Sequence, residues 1–191
     1  MTARVLCLDP GFEWFGWSVV ELRLHGEVVI CDMGLIRTEK SNKKLNVRDA
    51  DDNFRRWRDI STQLELLRKD WCVRVVCMEA YSPVRSSSVA AKLGGVYGIL
   101  SAVCEISKVP VLSISPQEVR RKLGATSKEA VAFAVKARFS DSTSAACIRR
   151  FEGQYKKVKA NHTHAWDSLG VFIACEGSDL IRAYSGLPAI S

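Results

Sequence analysis

The first third of the chain alternates between short apolar runs and turn residues, the pattern of strands. Arg4 to Asp9 is nearly all apolar before its terminal acid, and Gly16–Leu22 and Val28–Ile36 follow with His25-Gly26 as a turn between them. That order predicts an antiparallel meander. Beyond a polar loop, Phe54, Trp57, Leu64 and Leu67 recur near a 3.6-residue period while Arg55, Arg56, Arg58 and Arg68 take the other faces, which predicts an amphipathic helix with a solvated arginine side. Val73–Glu79 and Val109–Ile114 are apolar at nearly every position, as strands covered on both faces are, and are expected to be neighbours in the sheet. Between them, Ser86–Ser107 reads as a long helix. It contains Gly94, Gly95 and Gly98, each costing about 1 kcal/mol relative to Ala in a helix, so a close-packing partner is expected.

The last third reads as helical. Pro116 suits the first turn of a short helix reaching Lys122, and Thr126-Ser127-Lys128-Glu129 is a capping-box pattern that opens a helix through Arg138. Residues 140–162 mix Ser, Thr, Gly and Lys with little periodicity and predict an irregular, basic excursion with about one helical turn. A closing helix is expected from His164 to Cys175.

The 191 residues suffice for one α/β core and are expected to form a single domain, 1–191. No stretch reads as the roughly 20 apolar residues of a membrane span, and the N-terminus lacks a secretory pattern, so a soluble, cytoplasmic protein without membrane association is expected. The seven cysteines include no CxxC pair, and Cys7, Cys77, Cys104 and Cys175 sit in apolar runs as small hydrophobes. A net charge of +7 favours a polyanionic partner, with nucleic acid foremost.

Three acids stand at structural edges: Asp9 before Pro10-Gly11, Glu79 at the end of a strand, and Asp167 at the start of the closing helix. Singly, each has a plain structural explanation in turn formation or helix-dipole complementation. Together they describe a set of hard oxygen ligands for Mg²⁺, because like-charged carboxylates brought close without a cation drive one another toward protonation. His164 lies three residues before Asp167 on the same helix face, where it serves as a fourth ligand, as a group acting on the attacking water, or as a capping residue.

These residues, in order, resemble the RuvC-type Holliday junction resolvases of the ribonuclease H-like superfamily. The likeness runs through Leu8-Asp9-Pro10-Gly11 with Gly16, Gly34-Leu35-Ile36-Arg37-Thr38, Met78-Glu79, Lys92-Leu93-Gly94 with Gly98, Val109-Pro110-Val111, Val119-Arg120 and Ser127-Lys128-Glu129. The resemblance implies a five-stranded mixed sheet flanked by helices. It implies two Mg²⁺ or Mn²⁺ ions held by Asp9, Glu79, His164 and Asp167, with His164 where many members carry Asp. It also implies DNA contacts from Tyr81, Arg85, Arg120 and Lys128, and a homodimer packed through Gly94, Gly95 and Gly98. The implied partner is branched DNA, chiefly a four-way junction, in a bacterial, phage-infected or organellar setting. Arg149, Arg150, Lys156, Lys157 and Lys159 are read as a flexible basic arm. Two other classes compete: a non-catalytic junction-binding scaffold of the same fold, and an actin-like ATPase, for which the length leaves no second domain.

Overall fold

A computed structural model describes residues 2–23, 26–82, 85–156 and 163–185, with the side chains of Lys43 and Lys128 excepted. Strands β1 (Ala3–Asp9), β2 (Trp14–Leu22) and β3 (Val28–Arg37) form the expected meander. Helix α1 (Asp49–Asp70) follows, and then β4 (Val75–Glu79) pairs parallel with β1, so that the strands ending in Asp9 and Glu79 lie side by side. Helix α2 (Ser87–Ile106) leads to β5 (Val111–Ile114), which is the neighbour of β4 as expected, pairing in parallel, but is an edge strand with Val111 and Ser113 exposed and not a strand covered on both faces. The sheet order is β3-β2-β1-β4-β5.

Four helices and a short fifth complete the described chain: α3 (Pro116–Leu123), α4 (Lys128–Arg138), α5 (Ser142–Tyr155), α6 (Thr163–Cys175) and α7 (Asp179–Ser185). Ser115 and Glu118 close a capping box on α3, with Pro116 in its first turn. The cap of α4 is Ser127, whose hydroxyl accepts from the Ala130 amide, one residue later than the sequence pattern implies.

Strand alternation sorts the core into two layers. Val5, Cys7, Val75 and Cys77 face a cluster shared with α3 to α7, while Leu6, Leu8, Phe15, Val19 and Val76 face α1 and α2. Asp9 and Glu79 continue the first of these sets, so both project toward the side covered by α6. The cysteines in apolar runs are buried, as small hydrophobes are.

Four further expectations need correction. Residues 142–155 are a regular helix with Ser144, Cys147, Ile148 and Phe151 buried, capped by Asp141; small Ser and Ala residues had masked its period. Lys157, Lys159 and His162 lie outside the described residues, and Arg150 is engaged with Asp32 at 2.6 Å. The helix from Thr163 is not the last, since α7 follows it. Arg56 is not on a solvated face but buried, whereas Phe54, expected in the apolar stripe, is exposed. Finally, α2 is long and apolar enough to cross a bilayer by length and composition, contrary to the sequence reading, because its Ala, Gly and Ser positions dilute the apolar run without adding charge. Only Val96, Leu100 and Cys104 of α2 are buried.

Candidate active site

Backbone proximity brings the acids together. Gly16 stands opposite Asp9 in the β1–β2 register, and a Cβ there would lie 2.0 Å from the carbonyl oxygen of His164. Only a residue without a side chain lets the first turn of α6 rest on β2 at this point. One turn further on, the buried Ser168 hydroxyl donates to Ser18 of β2 at 2.9 Å, which fixes the rotation of α6 on the sheet. His164 and Asp167 therefore face Asp9.

His164 Nδ1 lies 2.6 Å from Asp9 Oδ2. A ring protonated at Nδ1 donates to this carboxylate and carries its acceptor lone pair on Nε2. Ligand atoms of Asp9, His164 and Asp167 all lie within 4.8 Å of one another, with Asp9 buried and the other two half-buried. Glu79 lines the same cavity but stands outside this tight group. The cavity, of about 190 Å³, is also walled by Pro116, Val119, Arg120, Ser127 and Val131. Two carboxylates and an imidazole this close, with a third carboxylate across the cavity, suit a divalent cation of mixed oxygen and nitrogen preference such as Mn²⁺, and Mg²⁺ through the oxygens.

The expected DNA contacts divide. Arg120 is exposed and walls the cavity, and Tyr81 and Arg85 are exposed on the loop beyond Glu79. The Lys128 backbone starts α4 beside Ser127, while its side chain is among those not described. Gly94 and Gly98 are exposed, with nothing within 4 Å of an added Cβ. Gly95 differs, because a Cβ there would meet the Trp57 ring of the same chain at 2.3 Å, and its packing reason is intramolecular.

Two residues escaped the sequence reading. The Tyr97 hydroxyl donates to the Glu79 carbonyl at 2.8 Å, and burial, with the charges of Glu79 and Asp9, raises its phenol above the ordinary range. It remains a donor at neutral pH. Arg56 donates to Thr38 Oγ1 at 2.8 Å with its guanidinium 4.0 Å from the Phe12 ring centroid, and Thr38 in turn donates to the Phe12 carbonyl at 2.5 Å. This clamp holds the turn that follows Asp9. Neither role has a local sequence signal, since each partner lies far along the chain.

No protein-family model matches the chain. The crossover junction endodeoxyribonuclease RuvC of Nitratidesulfovibrio vulgaris Hildenborough is 26% identical over 137 residues, covering 70% of this chain and 76% of that protein. The RuvC of Caldicellulosiruptor saccharolyticus is 24% identical over 120 residues, 63% and 67% of the respective chains. Among solved structures, T. thermophilus RuvC in complex with a Holliday junction substrate superposes with a TM-score of 0.68 at 17% identity, over 96% of both chains. The chain is similar to the RuvC-type resolvases in sequence and in fold. The yeast mitochondrial Holliday junction resolvase shares that fold too, with a TM-score of 0.62 at 16% identity over 96% of this chain and 84% of its own. The RuvC-type fold is thus present from the meander to the helices that cover Asp9.

Proposed function

We propose that the protein is a divalent-metal-dependent endonuclease that cuts four-way DNA junctions and related branched DNA. The observation that carries this reading is the convergence of Asp9, His164 and Asp167 within 4.8 Å, beside Glu79 and Arg120, in a chain similar to RuvC-type proteins. Asp9, Glu79, His164 and Asp167 hold two Mg²⁺ or Mn²⁺ ions. When bound, the ions lower the pKa of water and stabilise the leaving oxygen of the phosphodiester.

The chain's own groups do the rest. Asp9 orients the His164 ring through Nδ1. Arg120, on the cavity wall, supplies positive charge for a scissile phosphate, and Lys128 a second cation at the start of α4. Tyr81 stacks on a base exposed at the branch point, which contributes about 1–3 kcal/mol, and Arg85 contacts a neighbouring phosphate. A homodimer through the exposed face of α2 pairs two such sites for opposed strands; the open space at Gly94 and Gly98, which would admit a close neighbour, supports this reading. The setting is the cytoplasm of a bacterial or phage-infected cell, or an organelle.

The test compares a labelled four-way junction with linear duplex, flap and fork, in Mg²⁺, in Mn²⁺ and in EDTA. Paired nicks in the junction that require metal support the proposal. Junction binding without metal-dependent cleavage would leave a non-catalytic scaffold, and equal cutting of linear duplex would remove the structural selectivity.

A further inference from the structure

We infer that Tyr97 is a positioning residue that ties the metal ligand Glu79 to the base-facing ring of Tyr81, an inference that rests on the junction-nuclease reading above. Glu79 is the last residue of β4, where the ladder to β5 runs out. The next amide, that of Ala80, still donates to the Ile114 carbonyl at 2.8 Å, while the Glu79 carbonyl accepts from the Tyr97 hydroxyl at 2.8 Å. The peptide leaving Glu79 is thus fixed from two sides, by β5 and by α2.

The same Tyr97 side chain meets Tyr81 edge to face, with ring centroids 5.5 Å apart and planes at 86°. Tyr81 is 41% exposed, so one part of its ring is available to a nucleobase while another rests on Tyr97. Edge-to-face geometry is a preferred aromatic arrangement and holds the Tyr81 ring in a defined orientation. One half-buried side chain therefore carries two separable contacts. Its hydroxyl sets the backbone that presents the Glu79 carboxylate, and its ring forms the floor beneath the residue that recognises the base. The ligand class is an unstacked nucleobase at a DNA branch point, and its seating on Tyr81 reaches Glu79 through Tyr97 as well as through the backbone.

Tyr97→Phe and Tyr97→Leu separate the two contacts. The readouts are fluorescence of 2-aminopurine at the branch point and junction Kd, both in EDTA, then single-turnover cleavage rate and the Mg²⁺ concentration for half-maximal rate. For Y97F, Kd and fluorescence are expected within about twofold of wild type, while cleavage slows about fivefold and the Mg²⁺ midpoint rises, the effect of one lost hydrogen bond. For Y97L, the same loss of rate is expected together with a smaller fluorescence change and Kd weakened about threefold or more. Tyr97→Met takes the place of Y97L if thermal melting shows the latter poorly folded. Y97F that cuts at the wild-type rate with the wild-type Mg²⁺ midpoint overturns the inference, as does Y97L whose fluorescence matches that of Y97F. Wild-type cleavage of the same junction separates the two claims. Its absence overturns the nuclease reading, whereas its presence with wild-type-like Tyr97 variants overturns this inference alone.

Discussion

Two charged clusters flank the sheet, one buried against α1 and the other opening into a cavity beside α6. On the α1 side, Asp52 is 2% exposed, and its Oδ1 accepts from the Ser41 amide at 3.0 Å, the Ser41 hydroxyl at 2.5 Å and Arg55 at 2.9 Å. Beside it, Arg56 is spent on Thr38 and the Phe12 ring. On the α6 side, Asp9 and Asp167 converge around one imidazole and open into a cavity walled by Arg120. The first arrangement serves as structure: Asp52 Oδ1 is held by Ser41 and Arg55, while the buried Oδ2 accepts no hydrogen bond among the described residues. The second brings the carboxylates of Asp9 and Asp167 together around His164 at a cavity, a grouping that a divalent cation stabilises.

Breaking the open cluster should abolish chemistry and spare the fold. Asp9→Asn is expected to lower junction cleavage on the order of 10³-fold, because several kcal/mol of metal-assisted stabilisation is lost at about 1.4 kcal/mol per tenfold. Junction affinity in EDTA should change little, and gel-shift and single-turnover assays measure the two effects side by side.

Breaking the closed cluster should do the reverse. Arg56→Met removes the guanidinium from Thr38 and Phe12 and is expected to destabilise the fold by about 3 kcal/mol, seen in urea unfolding. Cleavage by the folded fraction should survive in reduced form, since the clamp supports the turn after Asp9 and touches no substrate.

A position that belongs to the interface between sheet and site should show both effects at smaller size. Gly16→Ala forces a Cβ into the His164 carbonyl, and backbone cannot yield cheaply, so about 1–3 kcal/mol of stability should be lost. Mn²⁺ binding should weaken with it.

The smallest effect is a pH dependence of the closed cluster alone. Burial raises the Asp52 pKa, but the bonds from Ser41 and Arg55 outweigh it and hold the group at about 2. A carboxylate depressed on folding contributes stability that is fully present above its unfolded value near 4, and that is lost as pH falls from about 4 through about 2. Thermal midpoints across that window should fall less steeply in Asp52→Asn than in wild type.

The contrast also explains what the sequence revealed. The strands were legible because β1, β4 and β5 are apolar at nearly every position, and Asp9 and Glu79 because they end such runs. Helix α5 was hidden, since Cys147, Ile148 and Phe151 are sparse among Ser, Thr and Ala. A buried Arg56 cannot be told from a solvated one by periodicity, because its partners Thr38 and Phe12 lie 18 and 44 positions away. Gly95 pointed to close packing, but not to the Trp57 ring in its own chain that provides it. The tightness of Asp9 with His164, and the greater remoteness of Glu79, depend on how α6 rests against Gly16, which no local pattern encodes.

The central claim is that the open cluster of Asp9, His164 and Asp167 binds a divalent cation. Titration of Mn²⁺ into wild type and Asp167→Asn, followed by electron paramagnetic resonance, tests it most directly. Saturable binding by wild type that is lost or at least tenfold weaker in Asp167→Asn is the predicted result. Equal binding by both proteins, or none by wild type, would contradict it.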